Sequence, residues 1–190
     1  MPTRKKARVL SSKVVYRGPV FHVTTDRVQE PSGVRARRDV VRHPGSIVIL
    51  AVDDSWNEPR VLLERQYRHA AGGFTWELPA GSMDPGETEL AAARRELLEE
   101  TGYRAARWQR ALKFFSSPGF LDETMSVYLA RGLRAGPAQP EEDEVITVRF
   151  LPISAAVDMV MRGRIPDGKT IAGVLWLQAK LGAATRPTGR

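Results

Sequence analysis

The chain has 190 residues, 42% hydrophobic and 27% charged, which suits one folded core with an appendage, and it contains no cysteine, which excludes disulfides, thiolate metal sites and cysteine nucleophiles. The net charge is +7, yet the excess sits at the ends: Arg4, Lys5, Lys6 and Arg8 at one, Lys180, Arg186 and Arg190 at the other, with no acid beside them. Residues 9–179 balance at 22 bases and 22 acids, which speaks against a basic nucleic-acid groove in the folded part and leaves an RNA role only to the N-terminal arm.

In chain order, residues 9–42 read as short strands with turn punctuation: "VLSSKVVYRG", "VFHVTTDRVQE", a "PSG" turn, then "VRARRDVVRH". Pro44-Gly45 closes this small antiparallel β region. "SIVILAVDD" follows as a buried strand. Its apolar run, Ile47 to Val52, is the longest in the chain and far too short to span a bilayer. No apolar segment follows the basic N-terminus as in a signal peptide, so the expected location is the cytoplasm. "RVLLERQYR" is a strand and "FTWELPAG" an extended segment ending at a turn. "ETELAAARRELLEET" is a helix, with Leu90 and Leu97 expected to pack roughly opposite its glutamates. "ARWQRALKFF", "TMSVYLARGL" and "EVITVRFLP" are strands; "ISAAVDMVMRGR" and "GKTIAGVLWLQAKLG" are closing helices. Strands mixed with few helices, without strict alternation, predict an α/β sandwich around a mixed sheet.

The stretch "RRELLEETG", Arg94 to Gly102, breaks two local rules. Glu96, Glu99 and Glu100 share one side of the helix at i, i+3 and i+4, where like charges repel by about 0.2–0.5 kcal/mol per exposed pair. Gly102 marks the helix end, so Glu99 and Glu100 also lie at the negative end of the macrodipole. A solvated acidic face is one reading. The other is that a cation, most simply a divalent metal, sits on these carboxylates. Asp84-Pro85-Gly86-Glu87 reads as the helix entry, with Asp84 as N-cap.

From Gly81 to Tyr103 the sequence "GSMDPGETELAAARRELLEETGY" resembles the Nudix box. That pattern is Gly, five residues, Glu, seven residues, Arg-Glu, a hydrophobe, one residue, Glu-Glu, one residue, Gly and a hydrophobe. Gly81, Glu87, Arg95, Glu96, Leu97, Glu99, Glu100 and Gly102 match in register, and Tyr103 replaces the usual aliphatic. Chance agreement somewhere in the chain is on the order of 10⁻⁷. With its flanking strands the resemblance covers roughly residues 44–183. It implies a Nudix-type α/β/α sandwich and hydrolysis of a nucleoside diphosphate linked to a second group. Such an anion meets a cluster of glutamates only with cations between them, which implies Mg²⁺, with Mn²⁺ as the alternative. The implied metal ligands are Glu96 and Glu100, the backbone carbonyl of Ala80, and Glu99 close behind. Arg95 pairs with Glu87 to orient the helix, or aligns Glu99 for catalysis.

The flanks resemble the ADP-ribose pyrophosphatase subgroup. They are "TWELPAG" before the box, "RQYR" with Arg68, and "SSPGFLDE" after it, with Pro118 sixteen residues beyond Gly102. The resemblance implies Arg68 on the diphosphate, and Pro118, Gly119 and Glu123 on the substrate side. It implies a catalytic base from "PEEDEV": Glu142, with Glu144 as a further metal ligand, in a register that four consecutive acids leave open by one or two positions. Residues 1–43 correspond to the subgroup's extra β domain, exchanged across a homodimer, with residues 1–8 a flexible basic tail. There Tyr16 and Phe21 either stack on the adenine or pack in the sheet, and Arg37 or Arg38 could reach a phosphate of the neighbouring site. Residues 44–183 form the hydrolase domain and 184–190 a tail. The implied reaction is hydrolysis of ADP-ribose to AMP and ribose 5-phosphate. The alternatives are another nucleoside diphosphate sugar, or a Nudix module that binds a nucleotide or RNA without turnover. His22, His43 and His69 lack metal-ligand spacing and read as ordinary polar or core residues.

Overall fold

The computed structural model describes residues 6–137 and 146–184. The chain divides into two compact units, Met1–Gly45 with Phe115–Thr124, and Ser46–Phe114 with Met125–Arg190.

The first unit is an antiparallel sheet of β1 (Arg8–Arg17), β2 (His22–Gln29) and β3 (Arg35–Arg42), in that order. Arg8, read in the sequence with the basic tail, is the first strand residue and pairs with Gln29. The strand starts there because cross-strand pairing reaches it. Every residue of β1 is exposed, on a strand whose apolar residues give no buried stripe. The segment 115–124 adds to β3: Val41 N–H donates to the Phe120 carbonyl at 2.8 Å and Asp122 N–H to the Val41 carbonyl at 3.1 Å. Arg42 ties the unit together through Asp122 at 3.0 Å and Asp26 at 2.5 Å.

The second unit is a mixed sheet in the order β10-β5-β4-β9-β8, with β6 on β5 and β7 on β4. The strands are β4 (Ser46–Asp53), β5 (Arg60–Arg68), β6 (Gly73–Glu77), β7 (Ala80–Ser82), β8 (Tyr103–Phe115), β9 (Thr124–Ala135) and β10 (Thr147–Pro152). The helices are α1 (Glu89–Thr101), α2 (Ile153–Met161) and α3 (Gly168–Ala184). β4 runs parallel to β9 and antiparallel to β5 and β7. Its side chains alternate between two cores. Val48, Leu50 and Val52 pack with residues of α2 and α3; Ile47, Ile49 and Ala51 pack with Ala92, Ala93 and Leu97 of α1. Burial on both faces explains the uninterrupted apolar run, and it makes this unit an α/β/α sandwich. Lys180, counted in the sequence with the C-terminal excess charge, lies within α3.

Candidate active site

The sequence reading of the α1 entry needs correction. The N-cap is Thr88, whose hydroxyl accepts from Ala91 N–H at 3.2 Å, and not Asp84. Asp84 to Glu87 form a separate turn in which Gly86 takes φ 82° and Glu87 N–H donates to the Asp84 carbonyl. A helix cannot start through a left-handed residue, so it begins one turn later. Gly102, at φ 72°, closes the helix as expected.

The packed side of α1 also differs from expectation. Leu97 is fully buried and Leu90 half-buried, but Glu96 and Glu100 are buried too, at 8% and 4% exposure. They lie on the packed stripe with Ala93, not opposite it. Room for them comes from the strand they face. At Gly81 a Cβ would overlap the Glu96 carboxyl group, so a larger residue there would require the carboxylate to move. One residue earlier, Ala80 N–H donates to Glu100 at 3.1 Å. The segment carrying Ala80 and Gly81 is fixed on both sides. Ile49 N–H donates to the Pro79 carbonyl at 2.8 Å, and Leu78 N–H to the Thr170 hydroxyl of α3 at 2.7 Å. Gly173 of α3 presses on Leu78, where a Cβ would lie 2.6 Å from its Cδ1.

Arg95 gathers the acids. It donates to both oxygens of Glu87 (3.2 and 2.9 Å), to Glu96 (2.8 Å), to Glu99 (3.1 Å) and to the Ser82 carbonyl (3.1 Å). Hydrogen bonding to Glu87 outweighs burial, and with Glu96 and Glu99 it raises the guanidinium pKa further. Glu87 is held below its ordinary value first by Arg95. Thus Ala80, Arg95, Glu96, Glu99 and Glu100 are assembled within one unit.

Arg68, expected on the diphosphate, belongs to a second set of charges whose other members the sequence reading does not single out. β5 presents Glu64, Gln66 and Arg68 on one face, opposite Glu77, Thr75 and Gly73 of β6. Glu64 and Glu77 are buried. Glu77 accepts from Arg68 through both oxygens (3.0, 3.2 and 2.9 Å), from Thr75, and from Lys169 of α3 at 2.5 Å. Lys169 is itself 3.1 Å from Asp167. Burial pushes the Glu77 carboxyl up, but Arg68 and Lys169 overcome it and bring it down to about 2. Burial lowers the Arg68 guanidinium, yet Glu77, and behind it Glu64 and Glu100, raise it on balance. The period-two spacing of 64, 66 and 68 in "RVLLERQYR" was the signal available for this stripe.

The donor set is all oxygen and anionic: Glu96, Glu99, Glu100, with Glu64 near enough to act on the same arginine as Glu100. That chemistry fits a hard divalent cation. Among the described residues no three acids or histidines stand in the close grouping of a formed metal site. In this arrangement Arg95 supplies the positive charge to Glu96 and Glu99.

The remaining sequence-predicted residues that the structure describes lie in the first unit. Pro118 and Gly119 form an exposed turn in which Phe120 N–H donates to Ser117. Glu123 accepts from the Ser116 hydroxyl at 2.7 Å and lies 3.6 Å from His43. Tyr16 and Phe21 have ring centroids 5.8 Å apart and are 53% and 40% exposed. Phe21 also lines a cleft of about 440 Å³ with Arg17, His22, Arg42 and His43. Arg37 pairs with Asp39 and Arg38 with Glu30, both within their own sheet. Glu142 and Glu144 lie outside the described residues.

The chain matches the NUDIX domain family over residues 41–173. It is 42% identical over 173 residues to a protein of Mycobacterium tuberculosis named ADP-ribose pyrophosphatase, covering 90% of this chain and 82% of that one. It is 34% identical over 173 residues to a Bacillus methanolicus protein named methanol dehydrogenase activator, covering 90% and 92%. A solved structure of an ADP compounds hydrolase superposes with a TM-score of 0.82 at 21% identity, over 98% of this chain and all of the other. That likeness bears on the fold.

Proposed function

The chain belongs to the NUDIX domain family and is a Nudix pyrophosphatase, and from that premise we propose that it hydrolyses the diphosphate bond of ADP-ribose to AMP and ribose 5-phosphate in a Mg²⁺-dependent reaction. The observation that carries the reading is the pair Glu96 and Glu100, both buried, Glu96 against Gly81, whose missing side chain leaves it room, and Glu100 on the Ala80 N–H. Burying two carboxylates on one helix face is costly unless something charged joins them. A divalent ion held by Glu96, Glu100, Glu99 and the Ala80 carbonyl would neutralise charge on the phosphoryl oxygens. Mn²⁺ is the alternative ion.

The chain's own residues have distinct tasks. Arg68, half-exposed and fixed by Glu77, orients a diphosphate by a charge-assisted fork. Arg95 sets the rotamers of Glu96 and Glu99 from behind and has no need to touch substrate. Glu142 takes the proton of the attacking water, and Glu144 adds a ligand. Pro118, Gly119 and Glu123 border the sugar side. Tyr16 and Phe21 stack on the adenine, and Arg37 or Arg38 reaches a phosphate in the neighbouring protomer of a homodimer. Exposure along the whole of β1, including Val9, Leu10, Val14, Val15 and Tyr16, supports exchange of this sheet between protomers. Residues 1–43 are then the exchanging β region and 44–183 the hydrolase domain, working in the cytoplasm. No helix among the described residues is long and apolar enough to cross a membrane.

The test is turnover of a panel, ADP-ribose, ADP-mannose and GDP-mannose, with Mg²⁺ or Mn²⁺, products identified by chromatography. ADP-ribose giving AMP and ribose 5-phosphate at the highest kcat/KM supports the reading. Preference for another nucleotide sugar moves the substrate. Tight binding with no turnover under either metal overturns the reading in favour of a binding module.

A further inference from the structure

On the outer side of α1, where its last turns meet the start of β8, a cleft of about 350 Å³ is lined by Arg94, Arg95, Leu98, Arg104, Ala105 and Trp108. Its apolar part is Leu98, Ala105 and Trp108, each half-buried. The indole N–H donates to the Ala105 carbonyl at 3.1 Å, so the ring is held in place. Arg94 and Arg104 are exposed, and neither is engaged in an ion pair or hydrogen bond among the described residues. Arg95 contributes to the wall while holding Glu87, Glu96 and Glu99.

An aromatic ring tethered through its N–H, beside guanidiniums that make no ion pair among the described residues, suits a planar ring that is attached to an anionic group. The ring supplies stacking, worth about 1–3 kcal/mol for a base on an aromatic side chain. The guanidiniums supply forked, charge-assisted hydrogen bonds to phosphate oxygens. The volume lies at the lower end of the roughly 300–1,000 Å³ range of small-molecule sites. That leaves room for one base and one phosphate group rather than a nucleoside diphosphate sugar. We propose that this cleft is a second ligand site, for a nucleoside monophosphate, separate from the glutamate face of α1.

The site has a direct connection to that face. An anion beside Arg95 competes with Glu96 and Glu99 for the same guanidinium and leaves those carboxylates freer for a cation. By linkage, a cation on the carboxylates leaves Arg95 freer for the anion. Occupancy therefore favours metal binding. Neither the cleft nor its coupling depends on which nucleotide sugar is hydrolysed.

The experiment is calorimetric titration of AMP into the intact protein in EDTA. The expected result is saturable binding weakened at least tenfold by Trp108→Ala and by the exposed Arg104→Glu, and unchanged by Arg68→Ala. Thermal melts of each variant show whether it folds; Arg104→Glu, at an exposed position, keeps the test decisive if Trp108→Ala does not. Absence of AMP binding, loss that follows Arg68→Ala instead, or equal affinity for inorganic phosphate overturns the proposal. Mn²⁺ binding, read by electron paramagnetic resonance, should tighten with AMP in the wild type and not in Arg104→Glu. No difference between the two overturns the coupling. The initial rate of ADP-ribose turnover at saturating Mg²⁺, taken before product AMP accumulates, reports on the hydrolase reading and should be unchanged in Arg104→Glu.

Discussion

The carboxyl group of Glu96 occupies the volume that a side chain on Gly81 would need: a Cβ on residue 81 would overlap its Oε1. Gly81 has no positive φ, so the demand is for space and not for backbone freedom. Gly81→Ala should displace Glu96 from its place beside Arg95. Overpacking of this kind costs roughly 1–3 kcal/mol. The effect on function should be of similar size, a 10–100-fold fall in kcat/KM with a higher metal requirement, or about 1.4–2.7 kcal/mol of barrier. Gly102→Ala is the contrast. Its φ of 72° makes it costly by about 1 kcal/mol in stability, with the metal requirement unmoved. Melting curves and metal titrations of both variants check the distinction, and equal metal requirements would remove the special role of Gly81.

Glu100→Gln keeps shape and removes a buried charge. Turnover should fall about 10²–10⁴-fold, roughly 3–5 kcal/mol of barrier. Metal-free thermal stability should hold or rise. Gln can still accept from Ala80 N–H, and a charge disfavoured by burial and by the helix C-terminus has gone. Near-wild-type turnover at saturating Mg²⁺ would remove Glu100 from the ligand set.

Much of this architecture was legible beforehand, and the failures have physical causes. Alternating Val and Ile in β4 announced a strand buried on both faces, and Gly102 announced the end of α1. The box spacing located the acids but misjudged their burial, because an amphipathic reading assigns glutamate to solvent. What reversed it is Gly81, which sits far enough back in the sequence that periodicity does not connect it to Glu96. The α1 entry was misplaced because Asp84 and Glu87 satisfy each other in a turn that imitates a capping box: Asp84 N–H donates to Glu87 at 3.2 Å. The Glu77–Lys169 pair joins residues 92 positions apart, beyond any local pattern.

That pair gives a pH prediction. Glu77 has a folded pKa near 2 against an ordinary 4.5, so it is depressed. Its stabilisation is fully present above about pH 4.5 and is lost as pH falls toward 2, an effect on the order of 3 kcal/mol. Glu77→Gln should flatten this limb of the acid-unfolding curve. It should also cost roughly 3–5 kcal/mol at pH 7, since Lys169 and Arg68 lose their shared partner. KM for ADP-ribose should rise more than kcat falls, because Arg68 is no longer held. An unchanged acid limb would show that other groups control acid stability.

The exposed apolar residues of β1 predict association. Val15→Glu with Tyr16→Glu should shift the protein toward monomer in sedimentation experiments at micromolar concentration. If protomers exchange this sheet, specific activity should fall on dilution in the double variant and stay level in the wild type. A wild type that sediments as a monomer with full activity would sink the exchange.

The proton acceptor is the remaining catalytic role, and it separates from metal binding by mass action. If Glu142 takes the proton from water, Glu142→Gln should cut kcat with substrate binding nearly intact, since a base acts chiefly in the transition state. Added metal cannot replace a base. Glu144→Gln weakens a metal site, so it should raise the Mg²⁺ needed for half-maximal rate, and excess metal should partly restore turnover. Glu141→Gln should do little. A Mg²⁺ titration of the three variants distinguishes the roles. Rescue of Glu142→Gln but not of Glu144→Gln would exchange them along the run of acids. Full activity in all three would send the base elsewhere. Glu99, which accepts from Arg95, and Glu123, which accepts from the Ser116 hydroxyl, are then the residues to substitute next.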